Sequence, residues 1–117
     1  MYAVCRLRKS KDFHRVFRCG RSVVSSSFVL YIAKRRVTGE AARLGVSVSK
    51  RIGNAVVRGR LKRLVKESLR EQMLTLPKNV DIVVIIRKEA VKLNFHRVKS
   101  ILQSLLHRAL KYIIIKR

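Results

Sequence analysis

Between Lys50 and Lys66 the chain carries Lys50, Arg51, Arg58, Arg60, Lys62, Arg63 and Lys66, with no acidic residue among them. Like charges one helical turn apart repel by about 0.2–0.5 kcal/mol per pair, so this run implies a polyanion to neutralise it. A solvated helix face would mix signs, whereas here Glu67 and Glu71 appear only beyond the cations. The chemistry on offer is phosphate binding. Arginine can bridge two phosphate oxygens, and the turn at Gly53-Asn54 exposes backbone donors near a helix N-terminus. Hydrolysis of a phosphodiester needs clustered carboxylates holding metal ions, or a histidine acid and base. The six acids, Asp12, Glu40, Glu67, Glu71, Asp81 and Glu89, are scattered, and His14, His96 and His107 show no ligand spacing. No catalytic residue and no metal ligand is assigned, and the polypeptide is not expected to cut nucleic acid alone.

These cations need a scaffold. Leu44, Val46 and Val48 alternate with Gly45, Ser47 and Ser49, as in a strand with one buried face. After Gly53-Asn54 the period changes: Val57, Leu61, Leu64 and Val65 recur at helical spacing, with the basic residues on the outward arc. The helix begins near Ala55 and stops before Pro77.

The remaining elements follow from the same rules. Met1 to Lys9 reads as a mobile basic arm. Ser10 is placed as the N-cap of a helix of about two to three turns, with Phe13, Val16 and Phe17 on one stripe, Asp12 in the first turn and Gly20 as a left-handed stop. After a serine-rich turn at residues 25–27, Phe28 to Ala33 is a strand apolar on both faces, joined through a connection centred on Thr38-Gly39-Glu40 to the strand at Leu44, as an antiparallel hairpin. Val80 to Arg87 is nearly all apolar, which marks the centre of the sheet. Asn94 caps a last helix with a sustained stripe from Phe95 to Leu110. Ile113 to Ile115 either completes the core or forms an exposed patch. The order αββαβα predicts a single α+β domain, a two-layer sandwich with helices packed on a small mixed sheet.

Composition sets the class of partner. The 117 residues suit one domain, 48% hydrophobic content argues for a folded core, and 29 Lys and Arg against six acids give a net charge of +23. Nucleic acid is the expected partner, with anionic membrane second. No apolar run spans a bilayer and Met1 to Lys11 lacks a signal-peptide core, so a cytoplasmic location is expected. Cys5 and Cys19 read as free thiols.

The chain resembles the protein component of bacterial ribonuclease P, the ribonucleoprotein that removes the 5′ leader from precursor tRNA. Arg6-Leu7 and Lys11-Asp12-Phe13 through Val16-Phe17 to Gly20 look like the family's N-terminal helix, and Phe28 to Tyr31 like its first strand. Ser47-Val48-Ser49-Lys50-Arg51-Ile52-Gly53-Asn54-Ala55-Val56 looks like its signature preceding the basic helix. One position departs: the family pattern Arg-Asn-Arg is Arg58-Gly59-Arg60 here. The resemblance implies a left-handed connection between parallel strands through the basic helix, where a right-handed one is the general rule. It also implies that an RNA subunit performs the cleavage and requires magnesium, while the protein assists binding. On that basis Lys50, Arg51, Asn54, Arg58, Arg60, Lys62 and Arg63 would contact the ribonuclease P RNA. Phe13, Phe17, Val29 and Tyr31 would line a cleft for the leader of precursor tRNA, although periodicity alone makes Phe13 and Phe17 core residues. No small-molecule substrate is implied. A general RNA-binding module such as a ribosomal protein fits charge and fold class equally, and only the specific motifs argue against it.

Overall fold

A computed structural model describes residues 6–35 and 41–114, the side chain of residue 114 excepted. In chain order it contains α1 (Ser10–Cys19), β1 (Arg21–Val24), β2 (Phe28–Lys34), β3 (Arg43–Val48), a 3-10 turn (Lys50–Ile52), α2 (Ala55–Thr75), β4 (Val80–Ile86), a second 3-10 turn (Lys88–Lys92) and α3 (Phe95–Ile114). The fold is α+β with a mixed sheet in the order β1-β2-β4-β3.

Three expectations are corrected. β1 is an added strand. It folds back on β2 through the serine turn, where Ser25 Oγ accepts the Phe28 amide at 3.0 Å. β2 and β3 form no hairpin, because β4 lies between them, antiparallel to β2 and parallel to β3. A strand as apolar as β4, buried from Val80 to Val84 and again at Ile86, is best satisfied with neighbours on both edges. The midpoint of the β2–β3 connection, Thr38-Gly39-Glu40, lies outside the described residues. Finally, the helices take both sides of the sheet instead of one.

The register explains this layering. Val23, Leu30, Val84 and Val46 form one row across the sheet and share the main core with Leu61, Val65 and Leu69 of α2 and Val98, Leu102 and Leu105 of α3. The next row, Ser22, Tyr31, Val83 and Gly45, faces the other way. There Leu7, Val16, Ala33 and Val83 form a smaller core under α1, with Phe13, Tyr31 and Ile85 packed on it.

α1 starts one residue before the sequence placed it. Lys9 is the N-cap and makes no side-chain cap hydrogen bond. Gly20 ends the helix with extended backbone, φ −88°, so its role is close approach: a β-carbon there would stand 2.6 Å from the carbonyl oxygens of Ile32 and Val16. The arm is anchored at least from Arg6. Arg6 bridges Leu44 of β3, the Leu7 amide donates to Leu44 O at 3.0 Å, and Leu7 is buried. As expected, α3 is capped by Asn94, whose Oδ1 accepts the Arg97 amide at 2.9 Å. Ile113 packs against the main core; Cys5 and Ile115 lie outside the described residues.

Candidate nucleic-acid interface

The approach to α2 is built from local hydrogen bonds that fix where its cations point. Ser49 Oγ accepts the Arg51 amide at 3.1 Å, closing the 3-10 turn, and Asn54 Oδ1 accepts the Val57 amide at 3.0 Å as the cap of α2. Asn54 thus commits its side-chain oxygen to the helix and keeps its NH2 group as a donor. Arg58 Nε donates to Gly53 O at 3.1 Å, holding the turn against the first helical turn, and Arg60 Nη2 donates to Val91 O at 3.2 Å. Lys50, Arg51, Asn54, Arg60 and Arg63 are exposed, and Arg58 and Lys62 are half-buried. The acid nearest this run on α2, Glu67, is ion-paired with Arg70.

On the other side of the sheet the four cleft residues come together. The Phe13 and Phe17 ring centroids are 6.4 Å apart, and Phe17 meets Tyr31 edge-on at 5.0 Å. Phe17 keeps 36% of its surface exposed, too much for a core residue, while Phe13, Val29 and Tyr31 are half-buried. Val29 is opposite Ile85 across the β2–β4 pair, so the platform continues over the sheet.

A feature that the sequence pattern does not reveal joins the two surfaces. A cavity of about 400 Å³ is lined by Arg6, Arg8, Phe13, Lys62 and Lys66 over a wall of Leu44 and Val46. Burial, then the charges of Arg6 and Lys62, hold the Lys66 ammonium below its ordinary value. Phe13 therefore belongs to both surfaces, and Arg6, Arg8 and Lys66 join the set. The signal was present in Arg6-Leu7-Arg8, one apolar residue between two cations, but its pairing with the edge of β3 depends on the tertiary fold.

α1 is positioned by charge as well as by packing. Asp81, fully buried on β4, accepts hydrogen bonds from Arg15 of α1, from Arg35 and, bidentately at 2.9 and 2.8 Å, from Arg43 of β3. Arg43 also reaches Asp12 at 3.6 Å. Burial pushes the Asp81 carboxyl up, but hydrogen bonds and charge from Arg43 and Arg35 outweigh it and hold the group below its ordinary value. Asp81 and Asp12 are thus engaged by arginine. Among the described residues no three His, Cys, Asp or Glu come together as candidate metal ligands. His14, His96, His107 and Cys19 are exposed. No described helix is long and apolar enough to cross a membrane.

Such a site can hold phosphates and stack bases. A cationic helix face beside an aromatic cleft is the make-up of a nucleic-acid-binding protein. The chain belongs to the ribonuclease P protein family, whose family model, Ribonuclease P, matches residues 1–110. It is 43% identical over 107 residues to the ribonuclease P protein component of Bacillus velezensis, covering 92% of this chain and 90% of that one. To that of Brevibacillus brevis it is 46% identical over 110 residues, covering 92% and 82%. The RNase P protein of Staphylococcus aureus superposes with a TM-score of 0.81 at 32% identity, covering 92% of this chain and 96% of that one. That of Thermotoga maritima superposes with a TM-score of 0.76 at 36% identity, covering 88% and 96%. Family membership makes the chain a subunit of ribonuclease P with an RNA partner.

Proposed function

We propose that the protein grips the catalytic RNA through Lys50, Arg51, Asn54, Arg58, Arg60, Lys62 and Arg63, and takes the 5′ leader of precursor tRNA between α1 and the sheet on Phe13, Phe17, Val29 and Tyr31. The phosphate contacts position without reading sequence, and the aromatic faces accept unpaired bases of any identity. Cutting the leader, and the magnesium that step requires, belong in this reading to the RNA subunit, and the location is cytoplasmic. The observation that carries the proposal is the cavity at Phe13, where the cationic part of α2, at Lys62 and Lys66, and the aromatic cleft share a wall. One path can then hold a backbone on one side and bases on the other.

The test is reconstitution with a bacterial ribonuclease P RNA at low magnesium. The wild-type protein is expected to restore 5′ processing of precursor tRNA, and Phe17→Ala to weaken precursor binding about tenfold while leaving mature tRNA binding unchanged. Equal losses for both ligands would dismiss the cleft assignment, and processing by the polypeptide without RNA would dismiss the whole reading.

A further inference from the structure

A second cavity, of about 380 Å³, opens at the opposite end of α1, where the first residues of β1 meet the last turn of α3. It shares no residue with the cleft at Phe13, Phe17, Val29 and Tyr31. Ile32, Ala33 and Ile113 form its apolar floor, Arg21 and Lys34 stand at its rim, and no acid lines it among the described residues. Its wall is Tyr112, which remains 42% exposed although it ends a helix with a full apolar stripe. The Arg21 guanidinium sits over the Tyr112 ring, 5.1 Å from its centroid. A guanidinium stacked on an aromatic face keeps its in-plane N–H donors for an anion beside the ring, which is the geometry that receives a phosphate.

From this juxtaposition of a flat ring, a stacked guanidinium, a second cation and a small apolar floor, we infer that the cavity binds one unpaired nucleotide, its base against Tyr112 and its phosphate between Arg21 and Lys34. An acidic peptide would satisfy the two cations but would have no use for the ring and the floor. The inference rests on the RNA-binding reading above, and two sources share the chemistry: a nucleotide within bound RNA, or a free mononucleotide.

The full chain, labelled at Ile, Ala and Val methyl groups, reports both sites at once by NMR: Ile113 and Ala33 for the cavity, Val29 for the cleft. Titration with a short oligoadenylate is expected to shift Ile113 and Ala33 saturably. Tyr112→Ala and Arg21→Gln should each weaken that response about tenfold while leaving the Val29 response in place. Saturation by AMP as well identifies a free nucleotide as a sufficient ligand, and saturation by the oligonucleotide alone identifies RNA. A response at Val29 without one at Ile113 and Ala33 overturns the inference but spares the cleft. Silence at all three overturns both. An equal response to oligoglutamate reduces the cavity to a patch of charge and overturns the inference.

Discussion

The ring of Phe13 lies directly on Gly45, so that a β-carbon at position 45 would stand 2.6 Å from Phe13 Cζ and 2.9 Å from Cε2. Strand β3 thus leaves a side chain out where Phe13 of α1 packs against the sheet. Gly45→Ala should cost about 1–3 kcal/mol in denaturant unfolding and weaken precursor tRNA binding by displacing the ring. Because both substitutions act on one contact, Gly45→Ala combined with Phe13→Ala should cost less than the sum of the two. Additive losses would show that Phe13 does not depend on the missing β-carbon.

Arg60 is exposed on α2, with Nη2 on Val91 O. Arg60→Ala is expected to lower affinity for the ribonuclease P RNA and to flatten the dependence of log K on log salt by about one unit for each phosphate the side chain no longer neutralises. An unchanged slope would leave Arg60 with only its structural bond to the 3-10 turn.

Asp81 gathers three arginines, from α1, from β3 and from the segment just after β2, and Asp81→Asn would leave Arg35 buried beside a neutral group. The expected loss is about 3 kcal/mol near neutral pH. The sign of its pH dependence follows from the lowered carboxyl pKa. Its contribution is present above the unfolded value, about 4, and is lost as pH falls through the lower folded value. The stability gap between wild type and variant should therefore close in acid below about pH 4. Denaturant unfolding over an acid series checks this, and a gap that stays constant would assign the effect to packing.

Gly59 lies in the second turn of α2, where the nearest atom to an added β-carbon is Arg63 Nη1 at 3.8 Å. Gly59→Ala should raise stability by about 1 kcal/mol, with RNA affinity unchanged. A drop in affinity on RNA titration would mean that RNA approaches the backbone at this position.

The local elements were legible because their signals are periodic. The stripe through Val57, Leu61 and Val65 gave α2, Asn94 gave the start of α3, and the nearly continuous apolar run of β4 gave its central place. What escaped depends on partners distant in sequence. β1 buries only Val23 of its four residues, which is too little pattern to distinguish it from a loop. Pairing β2 with β3 was the shortest-range choice, and it lost because β4 needed both of them. Leu7 looked like an isolated apolar residue in a basic arm, since its partner Leu44 is far along the chain. The cleft residues were named by resemblance; from spacing alone, Phe17 looks buried, and its exposure follows from α1 covering only part of its face of the sheet.

The edge of β3 gives the cationic face a second consequence. β3 pairs with β4 on one side, and on the other the described contact is the bridge from Arg6 to Leu44. An open sheet edge invites another copy to add its own strand. Here Lys62, Lys66 and Arg6 flank Leu44 and Val46, so an approaching copy meets repulsion before it can form a ladder. The charges suited to holding a polyanion thereby also discourage the bare polypeptide from zipping into ribbons, and that safeguard weakens wherever counterions crowd the edge.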